Sequence, residues 1–420
     1  MLQNPFALLR RLPGPVRLLV AGTLVNKLGS FIVPYLSLVL TREFHMSAAR
    51  AGGFVTAYGV GSLVSIVAGG YLTDLLGRRT TLLVSLLGSG SLAVAMGLAP
   101  SEHAFVPLLL VFGFVAELYR PASHAIISDL LPSSERATGF AALRVAVNLG
   151  FAVGMTIGGL LVDWSWRVLF VVDGSTTIAF GLLVYLFIQE TRPASREGSV
   201  AAAAGDVPAV WRDGVYALLM VSSVTFSMAV FSFLTILPLT VTLAAGYPAA
   251  VYGAIVGFNG LLITAFEVSV VAWLRRFRRL RVSALGFVFS GVGFALTGVF
   301  PHWAWYLFTV SLWTIGEILT LPQQMSFIAD WAPPAARGRY MALYSATWSV
   351  GFALNPILLL PLHARLGDRT FWPLLLLLLG PAGLIPLRIS LFDRRERLRG
   401  YSEVETAADE AVLPALSPET

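Results

Sequence analysis

Long apolar runs separated by short polar breaks dominate the chain. "TLVNKLGSFIVPYLSLVL", residues 23–40, holds a single charge. Polar punctuation delimits twelve such segments, at 16–41, 48–73, 80–99, 104–130, 139–161 and 166–188, then 213–243, 248–273, 282–300, 303–330, 339–362 and 370–391. Each is close to the roughly twenty residues that cross a bilayer core of about 30 Å as a helix. Most lack the polar stripe that a helix in a water-soluble core keeps on one face. The pattern predicts an all-α polytopic membrane protein of twelve transmembrane helices. The first run continues past Lys27 to about Leu40, longer than the apolar core of a cleaved signal, so it is expected to be a retained span.

The halves repeat. Shifted by 201 residues, "RPASHAIISDLLPSSERATGF" (120–140) falls on "LPQQMSFIADWAPPAARGRYM" (321–341). Pro121 meets Pro322, Asp129 meets Asp330, Pro132 meets Pro333 and Arg136 meets Arg337; further on, Gly150-Phe151 meets Gly351-Phe352. Two pseudo-symmetric six-helix halves in parallel repeat are an architecture of transporters, with the site between them near the midplane. The expected division is a first bundle over 1–189, a linker over 190–212, a second bundle over 213–391 and a disordered tail over 392–420.

Composition narrows the chemistry. The 420 residues are 56% hydrophobic and 12% charged, with mean hydropathy +0.77. The absence of Cys excludes disulfide and thiol chemistry. His45, His103, His124, His302 and His363 show no metal-ligand spacing, and no nucleophile or metalloprotease motif occurs, so neither a metal, a cofactor nor an enzyme is expected. A receptor without transport would bring a signalling domain, and the tail is too short and polar for one. The net charge of +6 is carried by loop arginines rather than by a nucleic-acid-binding domain. They crowd into the amino-terminal segment, the even-numbered loops, the linker and the tail, whereas the other side holds Arg42, Arg50, Arg167, Arg365 and Arg369. This bias puts both termini in the cytoplasm. The expected partners are the lipid bilayer and a small-molecule substrate, for a chain acting as a monomer.

Charges inside spans are costly and mark cavities or partners. They are Lys27 in span one, Glu117 and Arg120 in span four, Arg144 in span five, Glu267 in span eight and Glu317 in span ten: three cations and three anions. Glu117, Arg120 and His124 stand at i, i+3 and i+7 on one helix face, and Arg144 shares a face of span five with Asn148. Lys27 is the only lysine of the chain and adjoins Asn26. Its compact ammonium suits a counter-ion to Glu117 or Glu317, or a contact for an anionic substrate group. Glu117 lies one turn from a cation, whereas Glu267 and Glu317 have none within a turn on their own helices. The proton-coupling candidates are therefore Glu317, Glu267 and Glu117, with Glu317 first.

"GGYLTDLLGRRT" (69–80) joins spans two and three. Gly70, Leu72, Asp74, Gly77, Arg78 and Arg79 resemble the signature loop of the major facilitator superfamily, with Leu75 where a basic residue is usual. The second-half counterpart, "VAWLRRFRRLR" (271–281), keeps only its charge. Span five carries "GFAVGMTIGG" (150–159), whose Gly150, Gly154, Gly158 and Gly159 resemble the antiporter motif of the drug:proton branch, with Met155 in place of Pro. Glycines four apart also make a smooth packing face. Arg120 beside Pro121 is similar to the span-four Arg of proton-coupled members. The resemblance implies that spans one, four, seven and ten line the central path, placing Asn26, Lys27, Glu117, Arg120, His124 and Glu317 there. In span seven only hydroxyls are offered, Ser222, Ser223, Thr225, Ser227 and Ser232. Gly70, Asp74, Gly77, Arg78 and Arg79 would form a latch between conformations. The resemblance implies a bacterial-type inner membrane and secondary active transport by alternating access, with proton-coupled export of an amphipathic organic compound. The alternative is a transporter of an anionic metabolite using Lys27, Arg120 and Arg144.

Overall fold

The computed structural model describes residues 12–191, 213–274, 276–332 and 337–392. Most of the 190–212 linker and the tail beyond 392 lie outside them. So do the side chains at 74, 136, 144, 337 and 339, and the surroundings of Gly70. The described residues form twelve helical crossings. Eleven are long and apolar enough for a membrane by the described residues alone. The remaining one is span two, Ala48–Leu76, a helix of 29 residues. The observed ends lie within a few residues of the predicted ones. Spans three, five and six are Arg78–Gly97, Ser133–Trp164 and Trp166–Phe187, and spans eight to twelve are Ala249–Leu274, Arg279–Thr297, Trp303–Trp331, Arg337–Leu366 and Asp368–Phe392.

Three spans are broken, spans one and four at the residue four before a proline and span seven on both sides of that position. Span one divides into Gly14–Leu28 and Ile32–Arg42, span four into Glu102–Ala116 and Tyr119–Leu130. Span seven runs Gly214–Val230, then two short helical turns over Ser232–Thr235 and Leu237–Leu239, then a π-helical turn over Thr240–Ala244. Pro34, Pro121 and Pro238 have no N–H to give the carbonyls of Ser30, Glu117 and Leu234, so the ladder cannot continue through those points. Freed backbone groups at membrane depth must find other partners. In span one they find Asp173 of span six, which accepts from the N–H groups of Phe31 at 2.8 Å and Ile32 at 3.0 Å. In span seven Asn355 of span eleven donates to the carbonyl of Met228 at 2.7 Å and to Ser232 at 3.0 Å, and binds Thr235.

The two halves meet on the face opposite the described chain ends. Tyr252 of span eight donates to the carbonyl of Pro34 at 3.3 Å and stands edge-on to Tyr35, ring centres 5.4 Å apart. The Ala250 N–H reaches Asp163 at 3.1 Å, and Thr56 donates to the carbonyl of Ala353 at 2.8 Å. Glycines make the approach possible: a Cβ on Gly159 would lie 2.5 Å from the Ala249 carbonyl, and one on Gly52 would lie 2.2 Å from that of Pro356. On the termini face the described ion pairs stay within one half. Arg78 holds Asp129 at 3.0 Å, and Arg279 holds Asp330. Among the described residues, the contacts that join the two halves thus gather on the far face.

Candidate functional site

The cation-rich cluster belongs to the first half and is assembled by the breaks in spans one and four. Lys27 ends the first helix of span one, and its ammonium lies over the Tyr119 ring at 5.0 Å from the centroid. Glu117 closes the upper helix of span four as its C-cap, and its carboxylate meets the Arg120 guanidinium at 2.6 Å. Lys27 lies within the electrostatic reach of both Glu117 and Arg120. Of the two carboxylates weighed for Lys27 from its sequence position, Glu117 is the one within its electrostatic reach. Glu317 stands in the other half. Tyr58 of span two, buried at 3% exposure, packs into the field of the same pair.

The Arg120 side chain is 55% exposed although it lies about ten residues, some 15 Å of helix, from the termini-side end of span four. A guanidinium at that depth is costly unless it has a partner, and Glu117 supplies one. His124, one turn below, is also exposed and stands edge-on to Phe140 of span five at 5.4 Å. The helix breaks at Glu117, so the predicted single face is interrupted: Glu117 and Arg120 pair across the break, and His124 lies one turn further along the lower helix. Asn26 turns away from it and donates to Thr177 of span six at 2.7 Å, while Asn148 is half-buried on span five.

The second half holds the carboxylates. Glu317 is 7% exposed and accepts from the Asn259 amide of span eight at 3.0 Å; the same amide contacts Thr314 at 2.8 Å. Glu267, two turns along span eight from Asn259, is close enough to act on the Glu317 charge. Glu317 and Glu267 thus stand on neighbouring spans, ten and eight, within electrostatic range of each other. The even count of buried cations and anions read from the sequence does not survive. Asp173 of span six, 6% exposed, is a fourth anion inside a span, within electrostatic range of Lys27. It stands in "FVVDGSTT", where a single acid among small residues inside an apolar span was the available signal.

Three further expectations change. Three of the span-seven hydroxyls are taken up in packing: Ser222 donates to the carbonyl of Ala382 at 2.9 Å, Ser223 meets Thr347 at 2.7 Å, and Ser227 donates to the Thr347 carbonyl at 3.1 Å. They tie span seven to spans eleven and twelve. The loop joining spans eight and nine keeps more than charge, since Arg279 pairs with Asp330 as Arg78 pairs with Asp129, both residues related by the 201-residue shift. Asp129 and Asp330 thus each hold an arginine of their own half. Arg78 and Arg79 of the signature loop have their described contacts in the first half. Arg78 also donates to the Thr73 carbonyl at 3.2 Å, and Arg79 donates to the Tyr185 carbonyl at 2.6 Å. Glu190 accepts from their backbone N–H groups at 2.8 and 3.2 Å, capping span three where Gly77 turns at φ +102°. Asp74 and Arg144 lie outside the described side chains.

Three of the span-five glycines face span one, and Gly159 faces span eight. Cβ atoms on Gly150 and Gly154 would meet Lys27 Cβ at 2.7 Å and the Lys27 carbonyl at 2.8 Å, and one on Gly158 would meet Phe31 at 2.7 Å. Met155, where the motif has Pro, gives its carbonyl to the Tyr35 hydroxyl at 2.5 Å.

Residues 19–330 match the model of the Major Facilitator Superfamily. The chain is similar to a Na(+), Li(+), K(+)/H(+) antiporter of Planococcus maritimus, 26% identical over 81% of this chain and 87% of that one. It is similar to the quinolone resistance protein NorA of Staphylococcus aureus at 24% identity, over 40% of this chain and 43% of the relative. Among solved structures, a POT family transporter in complex with 5-aminolevulinic acid superposes with a TM-score of 0.76 at 16% identity, covering 90% of this chain and 96% of that one. A bacterial homologue of the lysosomal transporter Spinster, inward-facing and occupied, gives 0.74 at 13% identity over 91% and 97%. With twelve helical spans in two repeated halves and the family model matching most of its length, the chain belongs to the Major Facilitator Superfamily of membrane transporters.

Proposed function

We propose that the protein is a proton-coupled secondary transporter that exports an amphipathic organic compound by alternating access, with both termini in the cytoplasm and the structure in its inward-open state. The observation that carries this reading is the division of charge between the halves. The first half presents Lys27, Glu117 and the exposed Arg120 to the cavity, while the second keeps Glu317 buried beside a neutral amide. A buried carboxylate at membrane depth with a neutral donor is a natural resting place for a proton. Arg120 does not release its proton, so its part is electrostatic. In the outward-open state the signature loop of Gly70, Asp74, Gly77, Arg78 and Arg79 would close the cytoplasmic side. The relative NorA, named for quinolone resistance, favours an organic substrate.

A second reading has its own observation. Glu317 and Glu267 with the Asn259 amide and the Thr314 hydroxyl make an oxygen-rich group, and one relative is named for exchanging Na(+), Li(+) and K(+) against protons. Hard monovalent cations favour such oxygens. Proteoliposomes with an imposed pH gradient and an internal pH dye distinguish the two. Proton release on adding a lipophilic organic cation, with none on adding Na+, Li+ or K+, supports drug export. The reverse supports cation exchange, and silence with both refutes proton coupling to either.

A further inference from the structure

Span six clasps the break in span one from both sides. Below the break, Thr177 accepts from the Asn26 amide at 2.7 Å. Above it, one turn earlier on span six, Asp173 accepts from the N–H groups of Phe31 and Ile32, the first donors of the upper helix. Between them Gly29 lies so close that a Cβ would stand 2.1 Å from the Thr176 hydroxyl. The two helices of span one therefore have one fixed angle, set by span six.

Each arm of that bend carries a different part of the machinery. The lower arm ends in Lys27, facing Tyr119, Glu117 and Arg120. The upper arm carries Tyr35 and Pro34, which make the far-face closure with Met155 and Tyr252. We propose that Asp173 is a positioning residue that couples the two. Its negative charge at the positive end of the upper helix holds the bend that seats Tyr35 against Tyr252, and its attraction to Lys27 links that bend to the ion pairs in the cavity. This rests on the alternating-access reading but not on the substrate or the coupling ion. The charged and titratable groups that act on it are Lys27 of span one and Tyr58 of span two, and these two in turn lie in the field of the Glu117, Tyr119 and Arg120 group of span four.

The chain has no cysteine, so a single reporter is clean. Ala249→Cys, fully buried at the closure, is labelled with a maleimide in purified, nanodisc-embedded protein. In Asp173→Asn the neutral side chain keeps an acceptor but loses the charge. Labelling is expected to accelerate about tenfold, equivalent to about 1.4 kcal/mol toward the open closure, with the melting temperature and elution profile showing folded protein. Asp173→Glu restores slow labelling to within about twofold. Lys27→Gln accelerates labelling when Asp173 is present and adds nothing when combined with Asp173→Asn, the signature of a coupled pair. If folded Asp173→Asn protein labels as slowly as the parent, or if the Lys27 and Asp173 effects simply multiply, the proposal is wrong. Should Asp173→Asn not fold, the Asp173→Glu and Lys27→Gln arms still decide it: Lys27→Gln must loosen the closure, and unchanged labelling there overturns the coupling.

Discussion

Gly159 is the point at which one atom added to one half must move the other. Its would-be Cβ lies 2.5 Å from the Ala249 carbonyl oxygen and 2.6 Å from Ala250 Cα, both backbone atoms of span eight. Ordinary contact begins at 3.4 Å, so Gly159→Ala must part the two backbones by about 0.9 Å. Backbone atoms cannot rotate away as a side-chain tip can. Inserting a methyl into a well-packed interface costs about 1–3 kcal/mol, but only while the closure is made. In the outward-open state of the proposed cycle, span eight would withdraw and leave the methyl free. The substitution therefore acts on the equilibrium between states, raising the open fraction about 5- to 150-fold at about 1.4 kcal/mol per decade. Gly154→Ala is the matched comparison. Its methyl would lie 2.8 Å from the Lys27 carbonyl, inside the first half, so it lowers the melting temperature without favouring either state. A reporter cysteine at Ala353, which is buried where spans two and eleven meet, reads the opening by its maleimide labelling rate. Equal rates in Gly159→Ala and the parent, or equal acceleration by Gly154→Ala, would show that the glycine stripe is ordinary packing.

Other expectations follow from the same geometry. Lys27→Ala should abolish transport while leaving folded protein in the membrane, measured as flux per folded molecule in proteoliposomes, since it removes the cavity cation coupled to Glu117 and Asp173. The two symmetry-related ion pairs should differ in weight. Arg78 is 6% exposed, so Arg78→Ala strands the Asp129 charge in a part-buried site and costs about 3 kcal/mol. The Arg279 and Asp330 side chains are 28% and 38% exposed, and Arg279→Ala costs at most about 1 kcal/mol by the same chemical-denaturation assay. Asn355→Leu removes the donors that satisfy the broken span seven at Met228 and Ser232, and should cost about 2 kcal/mol or more, seen as a lowered melting temperature.

The span ends were legible because crossing a bilayer imposes a length and an apolar composition that any sequence must write out. Span two and span ten, for instance, are found within a few residues of their predicted limits. The breaks were not, because hydropathy is blind to an interrupted ladder. Prolines mark them, yet proline alone does not decide. Pro121 breaks span four, whereas its repeat partner Pro322 sits inside a continuous helix. Which partners meet across helices was equally hidden. Lys27 could be matched to Glu117 or Glu317 on one-dimensional grounds, and only the packing of span one against span four chose Glu117. Asp173 was the sharper omission, since a lone acid inside an apolar span is itself a signal. The Arg279–Asp330 pair was readable too: the 201-residue shift that aligns Asp129 with Asp330 also aligns Arg78 with Arg279.

The most direct test of the transport account is Glu317→Gln in proteoliposomes loaded with a pH dye. The substitution keeps the bond to Asn259 feasible and removes the site at which a proton is proposed to rest. The account predicts that substrate-driven proton release is lost while counterflow of the same compound across a membrane without a pH gradient persists. Proton release at the parent rate in folded Glu317→Gln protein would contradict it.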